Sequence, residues 1–143
     1  MPKSLDVKLH ARLSEVRSMA AMVETFGEDN DLPMRTIFVM SLALEELITN
    51  TVIHGRFTEV DEPAIIVKMD AHPDVVILVM ETNGDRFDPT MDTNPDTNSE
   101  LESRSVGGLG LHLVKTLADR VAYEYVDDVN RLTLEYDLES ESE

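Results

Sequence analysis

The chain has no cysteine, so disulfide scaffolds, thiolate zinc sites and cysteine nucleophiles are excluded from the outset. Its four histidines are scattered, and no H-E-x-x-H or similar metal spacing is present. Tryptophan is absent and aromatic residues make up only 5%. No apolar run approaches the ~20 residues of a membrane helix, and Met1–Asp6 lacks the apolar segment of a signal peptide. Basic residues are scarce: 12 stand against 29 acidic ones, a net charge of −17. Residues 1–80 carry −6 of it and residues 81–143 carry −11. Such a field repels phosphate backbones, which argues against direct nucleic-acid binding. What remains is a cytoplasmic chain of 143 residues with 42% apolar content, enough for one ordinary core.

The pattern along the chain predicts mixed secondary structure. Leu5, Val7 and Leu9 alternate with polar neighbours as in a short strand. Ser14 is placed to cap a helix whose apolar positions Val16, Met19, Ala20 and Val23 run to Phe26-Gly27. Pro33 suits the first turn of a second, long helix, with Ile37, Met40, Ser41, Leu44, Leu47, Ile48 and Thr51 inward and His54-Gly55 at its end. Ala64–Met69 and Val75–Met80 read as strands joined by a short turn, hence antiparallel. Residues 82–107 are rich in Thr, Asn, Asp, Gly, Pro and Ser, and a loop of that length is usually functional. A third helix follows over Leu109–Ala118. Two closing strands, Val121–Val126 and Leu132–Leu138, turn around Asp127–Asn130. The expected fold is α+β: a two-layer sandwich of mostly antiparallel sheet with helices on one face, one domain over residues 1–138 and an acidic tail over 139–143.

Three clusters could carry chemistry. Glu46, Asn50 and His54 are four apart, so they share one stripe of the long helix. A carboxylate one turn before a carboxamide can orient a hydroxyl beside a metal ion; an isolated stripe of this kind is also simply a solvated face. Glu81-Thr82-Asn83-Gly84-Asp85-Arg86-Phe87-Asp88-Pro89 directly follows a strand, as a ligand loop or as an ordinary turn. Gly107, Gly108 and Gly110 open a helix, where free backbone N–H groups and the macrodipole bind phosphate. No Lys-Ser/Thr follows them, and no strand precedes them, so neither the P-loop nor the dinucleotide fingerprint is present.

The order of these clusters is more specific than any one of them. Over about residues 5–138 the chain resembles the anti-sigma-factor serine/threonine kinases, a branch of the GHKL, or histidine-kinase-like, ATPase superfamily with its Bergerat-type fold. The resemblance implies ATP and Mg²⁺ as cofactors. It implies that Asn50 coordinates Mg²⁺ and that Glu46 is the base for the acceptor hydroxyl. Gly84 matches the glycine beneath the base, and Phe87 continues that box towards a lid over residues 90–106. Arg104 becomes the lid cation for a γ-phosphate, Gly108, Gly110 and Leu111 match the second glycine box, and Thr133 falls where the family often places a Thr beside adenine. The implied partners are a sigma factor, a small anti-anti-sigma antagonist and a second copy of the chain.

One departure stands out. Where the family carries an adenine-binding Asp, this chain has Thr82, whose hydroxyl lacks the charge assistance of a carboxylate. Glu81 cannot stand in for it, because adjacent strand residues face opposite sides. Two activities are therefore expected in competition: an ATP-dependent kinase acting on a small antagonist, or a partner-switching module that sequesters its partners without turning ATP over. In either case the acidic chain must supply positive potential locally, from Arg56, Arg86, Arg104, Lys115 and backbone N–H groups.

Overall fold

A computed structural model describes residues 3–90 and 111–138 of the chain. It begins with β1 (Ser4–His10), then α1 (Glu15–Asp29) and α2 (Met34–His54), then β2 (Ala64–Ala71) and β3 (Val75–Thr82). Residues 111–117 are helical (α3), and β4 (Arg120–Val126) and β5 (Val129–Asp137) close the fold. The strands form one sheet in the order β1-β2-β3-β5-β4, every neighbouring pair antiparallel. The predicted α+β sandwich is thus the observed one. The expected second glycine box at Gly108 and Gly110, the lid cation Arg104 and the tail at 139–143 lie outside the described residues.

Two-residue alternation gives the sheet two unlike faces. On the inner face the register aligns Val67 with Met80 and Met80 with Leu132, and the next row runs Met69, Leu78, Leu134. All of these are buried, and α2 lays Val39, Met40, Ala43, Leu44, Leu47 and Ile48 against them. Alpha-1 adds Met19, Val23 and Phe26, and α3 adds Val114. Against the expectation that no apolar run approaches a membrane helix, α2 has 21 residues and is apolar enough by length and composition to cross a membrane. Its apolar stripe is instead one face of this core.

Two local expectations change in the structure. Ser14 makes no side-chain cap: its backbone is already helical, and the N–H groups of Glu15 and Val16 bond to the carbonyls of Arg12 and Leu13. Gly27 does not end α1 but sits two residues inside its end, where a Cβ would clash with the Ile37 side chain. The glycine lets α1 and α2 approach closely, which is a packing requirement rather than a stop signal. By contrast, the last hairpin turns where expected, on Asp127-Asp128, both at positive φ (54° and 64°). Paired left-handed residues are what a two-residue hairpin turn needs to match strand twist.

Candidate functional site

The third inner row of the sheet changes character along its length. It starts apolar at Leu9 and Ile65, then continues as Thr82, Asn130 and Tyr125. A polar row at the end of an apolar face needs internal partners, and Asn130 provides them. Only 3% exposed, it points Nδ2 at Thr82 Oγ1 (3.1 Å), the Gly84 carbonyl (3.2 Å) and the Asp85 carbonyl (3.0 Å). Its Oδ1 accepts from the Phe87 N–H at 2.8 Å and from the Tyr123 hydroxyl. Burial pushes the Tyr123 phenol up, so it remains a neutral donor.

The segment after β3 is fixed on its other side as well. Asn83 bridges the Ala64 N–H and the Glu62 carbonyl. The Asp85 N–H donates to the Arg56 carbonyl at 2.7 Å, and Thr58 donates to the Asp85 carboxylate. Gly84 is required here: a Cβ would come within 2.7 Å of the Arg56 carbonyl oxygen. Asp88 accepts from both the backbone and the hydroxyl of Thr90, closing a tight turn that buries Pro89 and Thr90. Asn50 Nδ2 on α2 donates to the Pro89 carbonyl at 2.8 Å. That bond ties the loop to the last turns of α2.

The result is a narrow crevice lined by Thr51, Met80, Thr82, Phe87, Pro89, Tyr123, Asn130 and Leu132, too tight for a water-sized sphere. Thr51 is 2% exposed and its hydroxyl has no hydrogen-bond partner among the described residues. An orphaned buried hydroxyl on the wall of a crevice costs about 1–3 kcal/mol unless a ligand completes it. Beside it on α2, Asn50 Oδ1 has no partner among the described residues. One turn earlier Glu46, half-buried, makes no ion pair or hydrogen bond there. Burial holds the Glu46 carboxyl above its ordinary value, and the neighbouring Glu45 adds to this. A raised carboxylate is a stronger base at neutral pH.

Among the described residues no three acidic, His or Cys side chains gather into a metal cage. Asn50 Oδ1 fits Mg²⁺ in another way, because that ion is commonly held by one or two protein oxygens together with phosphate oxygens.

The residue patterns expected from sequence thus divide. Thr82 and Phe87 line one crevice with Gly84 beside them, and Asn50 is tied to the same loop through Pro89; Glu46 lies one helical turn before Asn50 on α2, and Leu111 stands half-buried against the core at the start of the described part of α3. Thr133 is not brought there. It pairs with Val79, whose side is opposite to that of Thr82, so its side chain belongs to the outer face. Asn130 takes the inward position instead. Sequence reading placed Asn130 in a turn; the signal available was its phase with Leu132, Leu134 and Tyr136, a polar residue in an inward-facing series.

The match to known proteins follows the same elements. Residues 9–136 match the histidine kinase-like ATPase domain. The chain belongs to that family. Among curated relatives, it is 31% identical over 100 residues to the serine/threonine-protein kinase BtrW of Bordetella bronchiseptica, covering 70% of each chain. It is also 31% identical over 108 residues to the serine-protein kinase RsbW of Listeria monocytogenes serotype 4a, covering 73% of this chain and 68% of the relative. A serine-protein kinase RsbW of Bacillus velezensis is 31% identical over 86 residues, 57% of this chain and 53% of that one. In this histidine kinase-like ATPase domain the candidate site is the stretch from Thr82 to Thr90 together with the end of α2.

Proposed function

We propose that this chain is an anti-sigma regulatory factor and an ATP- and Mg²⁺-dependent protein serine/threonine kinase whose acceptor is a small anti-anti-sigma protein. The observation that carries the proposal is the pair on α2: among the described residues Glu46 is unpaired and held more basic, and Asn50, one turn on and tied to the crevice-lining Pro89, has an open oxygen. The names of the relatives point to the same activity. Bound Mg²⁺ would neutralise charge on the phosphates. Asn50 would be its side-chain ligand through Oδ1, while its Nδ2 holds the Pro89 carbonyl. Glu46 takes the proton from the acceptor hydroxyl as that oxygen bonds to the γ-phosphorus and the bond to ADP breaks. Thr51, Thr82 and Phe87 line the crevice, whose walls would have to part to seat the base. The proposal extends to a cytoplasmic setting and a homodimer formed through β1 and α1.

Incubating the chain with γ-labelled ATP, Mg²⁺ and candidate antagonist proteins tests this. Label is expected on a Ser or Thr of one antagonist and absent with Glu46→Gln. Undiminished transfer by Glu46→Gln rules out its role as base.

A second reading has its own observation. The Thr82 hydroxyl is engaged by Asn130, and the crevice walls meet closely. That arrangement suits a partner-switching module that holds a sigma factor or antagonist without turning ATP over. Calorimetry separates the two readings: tight ATP·Mg²⁺ binding favours the kinase, and no heat of binding with retained antagonist binding favours the module.

A further inference from the structure

We infer that the outer face of α2 docks the phosphoacceptor protein, with Glu45 holding a Lys or Arg beside the acceptor hydroxyl; this rests on the kinase reading above. α2 is apolar on more than its core side, enough to pass for a membrane helix. Its outer row runs Met34, Phe38, Leu42, Glu45, Thr49 and Ile53, at the three- and four-residue spacing that lines one side of a helix. Met34, Phe38 and Ile53 are 87%, 66% and 57% exposed, and Leu42 and Thr49 are half-buried. The row is about 28 Å long at about 1.5 Å per residue. An apolar row of that length left in water marks a surface that another molecule covers.

Charge decides what covers it. Glu45 is exposed near the middle of the row, and covering it with apolar groups requires a cation beside it. Neither Glu45 nor Glu46 has an ion pair or hydrogen bond among the described residues, and the two carboxylates repel each other. A two-fold pairing of the row with itself would bring two Glu45 carboxylates together near the axis, which disfavours a second copy. A lipid surface would take Glu45 unpaired into an apolar layer, and the net charge of −17 repels anionic headgroups. A protein that carries a Lys or Arg among apolar side chains satisfies the row. Glu46 fixes which protein. It lies one turn after Leu42 and two before Ile53, along the edge of the row, so whatever covers these residues brings its own side chains to the proposed base.

The test is the rate of label transfer from ATP·Mg²⁺ to the antagonist that the wild-type chain labels, at varied antagonist concentration. Glu45→Lys and Phe38→Ser, each checked for folding by circular dichroism, are expected to raise KM for the antagonist about tenfold or more, with KM for ATP within about twofold of wild type. Each Lys and Arg of that antagonist is then changed to Glu in turn. One such change is expected to raise KM with the wild-type chain and to be rescued by Glu45→Lys, a coupling that a merely structural role does not produce. An unchanged antagonist KM in either folded variant, or the absence of any rescued charge swap, overturns the inference and leaves the kinase reading intact. If Phe38→Ser instead abolishes self-association in sedimentation, or binding to phosphatidylcholine vesicles, with antagonist KM unaltered, the row belongs to a second copy or to a membrane and the inference is overturned. No transfer by the wild-type chain to any candidate removes the kinase reading, and the docking surface with it.

Discussion

Glu81 and Thr82 are neighbours on β3, both buried, and they face opposite sides of the sheet with opposite fates. On the outer face, Glu81, 8% exposed, is held by Arg131 Nε at 2.6 Å and by Lys68 Nζ at 3.5 Å, and Arg131 goes on to Glu124. Its charge is matched within the sheet. On the inner face, Thr82 joins Asn130 in a network that is uncharged and holds a loop in shape, and Thr51 beside it has no partner among the described residues. A cluster whose demands are met internally is architecture. A cluster that leaves polar atoms open beside a crevice has capacity for a ligand. This difference, rather than the number of polar residues, separates the two faces.

The largest expected effect is on the inner side. Glu46→Gln should lower phosphoryl transfer about 10²–10⁴-fold, the usual contribution of a positioned base. The same change should raise thermal stability at neutral pH. Burial holds the Glu46 carboxyl above 4.5, so the folded protein binds that proton more tightly than the unfolded chain. The stability so gained is fully present below that ordinary value and is lost as pH rises through the folded one. Neutral glutamine does not suffer this loss. The acidic limb of the wild-type rate profile should accordingly lie above the normal carboxylate range, and a limb at the ordinary value would contradict the stated environment.

Next comes Asn130→Ala, which strands the Gly84 and Asp85 carbonyls, the Phe87 N–H and the Tyr123 hydroxyl. A loss of about 2–4 kcal/mol is expected in urea unfolding, together with loss of nucleotide binding. On the outer face, Glu81→Gln should cost only about 1 kcal/mol, since Lys68 and Arg131 are each 40% exposed and well screened. Ligand affinity should not change, and the stability difference should shrink at about 1 M salt. An effect of Glu81→Gln on nucleotide titration would dissolve the distinction between the faces. The smallest effect is expected for Thr133→Val: stability within about 0.5 kcal/mol of wild type and unaltered nucleotide affinity. A clear drop in affinity would return Thr133 to the site.

Much of this architecture was legible in the residues. Strand alternation around Leu5–Leu9 and Ala64–Met69, and the inward series of α2, are local patterns that survive folding because burial enforces them. Asp127-Asp128 also announced its turn, since both residues tolerate positive φ. Three readings needed more than local pattern. Gly27 looks like a helix stop until Ile37 is seen to occupy the space of its missing Cβ. Thr133 looks well placed until the pairing with Val79 sets its face. Asn130 looks like turn chemistry until five polar groups are found around it.

The sequence by itself determined the α+β class, the long helix bearing Glu46 and Asn50, and the exclusion of cysteine chemistry, because periodicity and composition are properties of the chain read in order. Only the tertiary structure decided that Thr82 is bound to Asn130, that Asn50 is tied to Pro89 and that Glu81 is a neutralised strut. The physical reason is sequence distance: Thr82 and Asn130 are 48 residues apart, Asn50 and Pro89 are 39 apart, and Glu81 and Arg131 are 50 apart. Strand register and helix docking alone fix which of them meet.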